Sequence, residues 1–445
     1  MLKLSDEEQA LLAGDQGPGV RKAMEIIVTL GRIYGARRLV EVESVQVAGV
    51  SYHNLGEAGL EFLREWAGQG ARVRVPTTLN PAGMDLHAWR ELGFTESFAR
   101  RQQAVIEAYR RLGVRPTCTC TPYLVGNVPG VGAHVAWAES SAVSYANSVL
   151  GARTNREGGP SALAAAITGR TAAYGLHLDK NRRATLRVLV RCPVRTLSDF
   201  GALGYLVGRA ARNRVPYFVF EDPDETCSDV ALKALGAAMA ASGAVALFHV
   251  AGHTPEAGQP EILNPDHETL TIDDLRPAYA ALNSDAPGPV LSPVEAPVLS
   301  PVEAPVLSPV EAPVLSPVEA PVLSPVEAID LVWFGCPHVG LEEMARVVHL
   351  LRGRSVKAAL WITMAREVRK RAAAQGLVEA LEASGGRAVA DMCAVVAPMQ
   401  ELGFRTVATS SAKGASYLPS YAGLTVRYGT VEQCVEAAVT GTWSR

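Results

Sequence analysis

Cysteine is scarce in this chain, at seven residues in 445. So few thiols cannot staple a chain of this length, which excludes a disulfide-framed fold. Each cysteine is then a buried thiol, a nucleophile or a metal ligand. No Cys-x-x-Cys pair occurs, nor any Cys/His spacing of a structural zinc site. Charge of one sign is lacking too: the net charge is −3, and the dispersed Lys and Arg form no basic stripe for a nucleic-acid partner. Long apolar runs are missing, since a stretch such as 244–250 is far too short to span a bilayer. The opening Met1-Leu2-Lys3-Leu4-Ser5-Asp6-Glu7-Glu8 lacks the basic-then-apolar pattern of a secretory signal, and Ser5 and Glu8 stand at capping-box spacing ahead of a helix. A cytoplasmic location is the expectation.

What is present is a rhythm. Short β-rich runs at 39–50, 71–77, 185–190, 215–220, 245–250, 329–334, 356–362 and 405–409 are each followed by Gly-, Pro- or Asn-containing turns. Between several of them lie helical patterns at 60–68, 96–112, 229–241, 341–351 and 365–376. Such alternation predicts α/β domains with largely parallel sheets, whose ligands collect beyond the carboxyl ends of the strands. A chain of 445 residues is too long for one ordinary core. The expected divisions are 1–175, 176–285 and 329–445.

Residues 289–328 break the rhythm with five identical copies of Pro-Val-Leu-Ser-Pro-Val-Glu-Ala. Proline at every fourth position removes amide donors and disfavours helix at the residue before it, so 286–328 reads as an extended linker. Lengthening a surface loop from about ten to about forty residues costs only roughly 1.2 kcal/mol.

Three cysteines share a setting. Cys120 precedes the Gly/Pro-rich turn 126–130, Cys336 follows the apolar strand in Phe334-Gly335-Cys336-Pro337-His338, and Cys393 follows the strand-like 387–390. Each alone reads most simply as a buried thiol behaving as a small hydrophobe. Cys118, two residues from Cys120, would share its face on a strand. Cys192 ends a strand, Cys227 lies in an acidic turn, and Cys434 takes an apolar position of a helical pattern.

The run Ala138-Glu139-Ser140-Ser141 through Asn155-Arg156-Glu157-Gly158-Gly159 resembles the signature of the aconitase X family, as do Phe334-Gly335-Cys336-Pro337-His338 and Ser410-Ser411-Ala412-Lys413 with Tyr417. The likeness covers nearly the whole chain except the proline repeat. It implies an aconitase-like fold of three α/β domains around a central iron site. It further implies that Cys120, Cys336 and Cys393 hold an iron–sulfur cluster, [4Fe-4S] being favoured, or mononuclear iron. Thiolates suit such centres because they are soft ligands.

The resemblance also puts Gly49, Val50, Ser51, Asn80 and Pro81 on substrate loops, Glu139 and Ser140 at catalytic positions, and Lys413 against an anionic group of the substrate. Plain turn chemistry explains the Gly and Asn-Pro positions equally well, and a lysine is more often a solvated charge. Arg153, Asn155 and Glu157 alternate, so an extended segment would put all three on one side, as pocket neighbours or as an ordinary polar loop. Asp391-Met392-Cys393 and 410–413 depart slightly from the family's usual wording without losing a cysteine or the lysine.

The implied activity is that of a hydro-lyase acting on a small anionic hydroxy acid. The Gly- and Pro-containing loop 155–161 leans toward 5-phosphomevalonate over cis-3-hydroxy-L-proline. No part of the sequence reads as the family's small swivelling domain, so a separate small subunit carrying the catalytic base is expected as partner. A non-catalytic iron sensor on the same scaffold is the alternative from another class, since fold does not determine function.

Overall fold

The computed structural model describes residues 2–222, 227–283 and 327–444. Three parallel sheets organise them. In the first, Val45–Val47 lies between Thr77–Leu79 and Ala136–Trp137. The second orders His249–Val250, Pro216–Phe220, Ala184–Val190 and Leu263–Ile272. The third orders Arg387–Ala390, Ala359–Met364, Leu331–Phe334, Thr406–Thr409 and Thr425–Tyr428. Every described pairing within these three sheets is parallel, as the β–α rhythm predicts. Helices cover the faces, and the Ser5–Glu8 capping box opens the first of them.

The expected strand at 39–50 divides in two. Leu39–Glu41 pairs antiparallel with Arg170–Ala172, while Val45–Val47 enters the first sheet. Between them the Val42 and Glu43 amides bond to Gly169 and His134 carbonyls, which carries the chain from one sheet to the other. The strand expected at 71–77 forms beyond Pro76 instead, at Thr77–Leu79. Leu263–Ile272 is a strand that the expected rhythm does not include, and it carries Pro265. It lies at the edge of its sheet, where a missing amide donor is tolerated.

Most of the octapeptide repeat falls outside the described residues. Its final Glu327–Ala328, expected as linker, forms a short antiparallel strand with Thr442–Trp443.

One apolar cluster runs from Leu186 and Phe218 of the second sheet to Trp333 and Trp361 of the third and takes in Cys336 and Cys393. A second fills the first domain, built on Val45, Trp66 and Ile167. The five-stranded sheet starts at its middle strand, Leu331–Phe334, grows through Ala359–Met364 and Arg387–Ala390, then resumes on the other side with Thr406–Thr409. The order therefore reverses between Leu331–Phe334 and Thr406–Thr409. A crevice opens at the carboxyl end of such a switch point.

Candidate active site

Loops at that switch point carry the site. Cys336 follows Leu331–Phe334, and Lys413 follows Thr406–Thr409 on the first turn of the helix Ala412–Tyr417. Gly335 permits the turn out of the strand: its φ is +140°, and a Cβ there would stand 1.8 Å from Thr363 Oγ1. Cys393 follows Arg387–Ala390, beyond Asp391 with its positive φ of 66°. The first sheet answers from its own carboxyl ends, with Asn80-Pro81 after Thr77–Leu79 and Glu139 after Ala136–Trp137. The Ala82 amide donates to the Asp391 carbonyl at 2.7 Å and the Cys393 amide to the Ala82 carbonyl at 3.3 Å, so the two domains are stitched backbone to backbone beside the site.

Cys120, Cys336, Cys393, Asn80, Pro81, Glu139, Ser140 and Lys413 all line one cavity of about 180 Å³. Asn54, Arg156, Val395, Val396, Tyr417 and Tyr421 complete its wall. Cys118 packs into the first domain's core instead. Its φ of 44° breaks the strand-like alternation that would have turned it the same way as Cys120. Cys434 is buried in the helix Val431–Thr440, and Cys192 and Cys227 are half-buried away from the cavity.

Lys413 and Glu139 form a buried ion pair across the cavity wall. Lys413 Nζ also donates to Ser141 Oγ at 3.1 Å, and Asn80 Nδ2 donates to the other Glu139 oxygen at 2.7 Å. Burial works against the Glu139 charge, yet Lys413 and Asn80 outweigh it and hold the carboxyl at about 2. The lysine is held above its usual range by Glu139 against its own burial.

The thiols differ among themselves. Burial, reinforced by Glu139, pushes Cys120 up to about 12. A hydrogen bond with Cys393, assisted by Lys413 against burial, pulls Cys336 down and drives Cys393 up. The His338 amide donates to Cys120 Sγ at 3.1 Å.

Six expected positions do not line the cavity. Gly49, Val50 and Ser51 lie behind it: the Gly49 carbonyl accepts from Tyr109, the Val50 carbonyl from Gln102, and Ser51 Oγ donates to the Val396 carbonyl at 2.6 Å. Arg153 pairs with Asp179, Asn155 is bonded to the Tyr174 carbonyl and Leu176 amide, and buried Glu157 accepts from Ser161 and Thr171. These three do alternate along an extended segment, but Arg153 is spent on a surface pair and Asn155 and Glu157 on buried contacts away from the cavity. The residue between them, Arg156, is the one on the cavity wall. It is exposed and has no ion-pair partner among the described residues.

Family models match the chain in three pieces: the Aconitase X first domain over residues 1–180, the second over 184–280 and the third over 329–440. The chain is 47% identical to the phosphomevalonate dehydratase large subunit of Methanothermobacter thermautotrophicus, over 96% of each. The cis-3-hydroxy-L-proline dehydratase of Pseudomonas aeruginosa is 35% identical over 99% of this chain and 70% of its own length. The crystal structure of Thermococcus kodakaraensis aconitase X in its holo-form superposes with a TM-score of 0.81 at 42% identity, over 98% of this chain and 100% of that one.

Proposed function

The chain belongs to the aconitase X family, and we propose that it is the large subunit of a phosphomevalonate dehydratase, a hydro-lyase that removes water from 5-phosphomevalonate. Cys120, Cys336 and Cys393 would hold its iron centre. The donor set fits that group: three soft thiols line one cavity, and His338 already places an amide on one sulfur. The resemblance favours a [4Fe-4S] cluster on these three thiols, with mononuclear iron as the alternative. When bound, such a centre supplies Lewis acidity to a departing hydroxyl.

The chain's own side chains would bind and orient the substrate. Lys413 offers a buried cation to a substrate oxyanion, with Glu139 and Asn80 fixing where its ammonium points. Glu139 stays a carboxylate in this setting, and Ser140 Oγ donates to it at 3.3 Å. The resemblance puts the catalytic base on a small swivelling subunit, and the 'large subunit' name of the relatives supports such a partner. Seven free thiols fit a reducing, cytoplasmic setting.

One observation carries the choice of substrate. Glu139 already neutralises Lys413, and the exposed guanidinium of Arg156 adds a second positive charge to the wall without an ion-pair partner among the described residues. 5-Phosphomevalonate brings a carboxylate and a phosphate, whereas cis-3-hydroxy-L-proline is a zwitterion with one carboxylate and one ammonium. A second, unpaired cation suits a substrate with two anionic groups. The test is turnover of each compound by the anaerobically reconstituted two-subunit enzyme. Dehydration of phosphomevalonate is expected, and turnover of hydroxyproline alone would overturn the reading.

A further inference from the structure

His338 is fully buried and belongs to no catalytic step above. Its ring reaches two cysteine-bearing segments while its own backbone belongs to the third. Nδ1 lies 3.0 Å from Thr119 Oγ1, next to Cys120. Nε2 lies 2.8 Å from the Met392 carbonyl, next to Cys393. The residue itself stands two positions after Cys336. Its carbonyl also accepts from Lys233 Nζ at 3.4 Å, on a helix of the second domain.

The proton positions follow by elimination. A carbonyl only accepts, so Nε2 carries the hydrogen toward Met392, and in the neutral ring Nδ1 is then the acceptor. Thr119 Oγ1 must then donate to Nδ1. Its lone pairs are left to receive the Thr121 amide at 3.1 Å and the Thr121 hydroxyl at 3.0 Å. The chain of donors runs one way, from the Cys120 segment through His338 to the Cys393 segment. A buried network with every member satisfied holds its geometry closely.

We propose that His338 is a positioning residue, which holds the segments of Cys120 and Cys393 in register with Cys336 so that the three sulfurs meet one iron centre. The iron part rests on the reading above; the bracing part does not. Supporting groups of this kind orient a metal's ligands without touching the metal.

Two substitutions separate the arms of the brace. A glutamine amide reproduces the Nε2 donor but not the Nδ1 acceptor, and an asparagine amide does the reverse. The full-length, metal-free chain with His338→Gln or His338→Asn is alkylated with iodoacetamide, and each cysteine is followed by mass spectrometry. His338→Gln should raise the rate at Cys120 about tenfold over Cys393, and His338→Asn should raise Cys393 about tenfold over Cys120. Thr119→Val should reproduce the glutamine pattern. After reconstitution with iron and sulfide, both His338 variants should hold less iron than the parent and show an altered visible and paramagnetic spectrum. An unchanged alkylation pattern would overturn the brace. So would a uniform rise that includes Cys434, since that reports general unfolding. If Cys→Ala at 120, 336 and 393 leaves iron content unaltered, the iron reading alone fails, and the alkylation pattern still decides the brace.

Discussion

Arg182–Glu256, beside the four-stranded sheet, and Lys413–Glu139, where the first and third domains meet, are both buried ion pairs with unlike surroundings. Arg182 is 1% exposed and spends its donors on protein: Glu256 from two nitrogens, Asn147 Oδ1 at 3.1 Å, the Asn147 carbonyl at 3.0 Å and the Leu176 carbonyl at 3.1 Å. Lys413 has Glu139 and Ser141 and then faces a cavity. The first pair is closed, with no donor left over for a ligand. The second is held ready with an open side. Desolvation makes both costly, and only full pairing repays it inside a protein. The closed pair should therefore carry stability, and the open one binding.

Arg182→Met offers the largest effect. It strands the Glu256 carboxylate and the Asn147 oxygens, and a broken buried pair costs about 3–5 kcal/mol. The denaturation midpoint should fall sharply, with much recovered when Glu256→Met is added. Lys413→Met should behave otherwise. Asn80, Ser140 and Ser141 still surround Glu139, and water can enter from the cavity, so stability should fall by less than in Arg182→Met. Turnover should fall about 10²–10³-fold, the usual cost of removing a preorganised charge from an active site. Equal stability losses in the two variants, with turnover intact in the second, would dissolve the contrast.

Arg156→Ala tests the open side from its mouth. That guanidinium makes no ion pair among the described residues and adds only a minor charge effect on Glu139, so unfolding should change little. A charged hydrogen bond contributes about 1.5–3 kcal/mol, so KM for phosphomevalonate should rise roughly 10–100-fold. An unaltered KM would remove the argument for a substrate with two anionic groups.

Arg156 also marks where sequence reasoning stops. Period two says which residues of 153–157 share a side, but not which side meets the cavity; that depends on how the segment sits between Trp137 and Tyr174. The strand-end cysteines were visible because Gly, Pro and Asp turns follow short apolar runs, and α/β sheets present their carboxyl ends to ligands. The braces behind Gly49–Val50 were not, since Gln102 and Tyr109 lie some fifty to sixty residues away in sequence and bond through side chains. The helix Ser140–Ser148 hid for another reason. Its residues are all buried, so its serines give no amphipathic pattern to read.

Acid sharpens the contrast from the closed side. His177 is buried next to His134, with Nδ1 atoms 2.9 Å apart, and its Nε2 has no hydrogen-bond partner among the described residues. Burial, then the charges of His134, Arg182 and Arg153, lower its pKa to about 3. The folded state thus favours neutral imidazole, while the unfolded chain takes up a proton near 6.5. Stability is complete above that value and is lost as pH falls through it toward the folded pKa. Between pH 7.5 and 5.5 this one group should cost roughly 1.4 kcal/mol. His177→Gln should flatten that limb in pH-dependent unfolding. An unchanged slope would acquit this cluster.

The smallest effect is expected from the most conspicuous feature of the sequence. Removing residues 289–320 deletes four octapeptide copies and spares the last. Both ends of the inserted segment fasten to one strand. Asn283 exchanges hydrogen bonds with the Tyr428 amide and carbonyl, at 2.9 and 3.2 Å, and Glu327 accepts from Arg427 Nε at 2.6 Å. Neighbouring anchors need little chain to join them. On the reading of the repeat as an extended linker, shortening it from about forty to about ten residues returns at most about 1.2 kcal/mol of closure entropy. Turnover and iron content should match the full chain, and the unfolding midpoint should stay level or rise slightly. A loss of turnover with the fold and iron intact would mean that the repeat itself contacts the partner subunit or the cavity mouth.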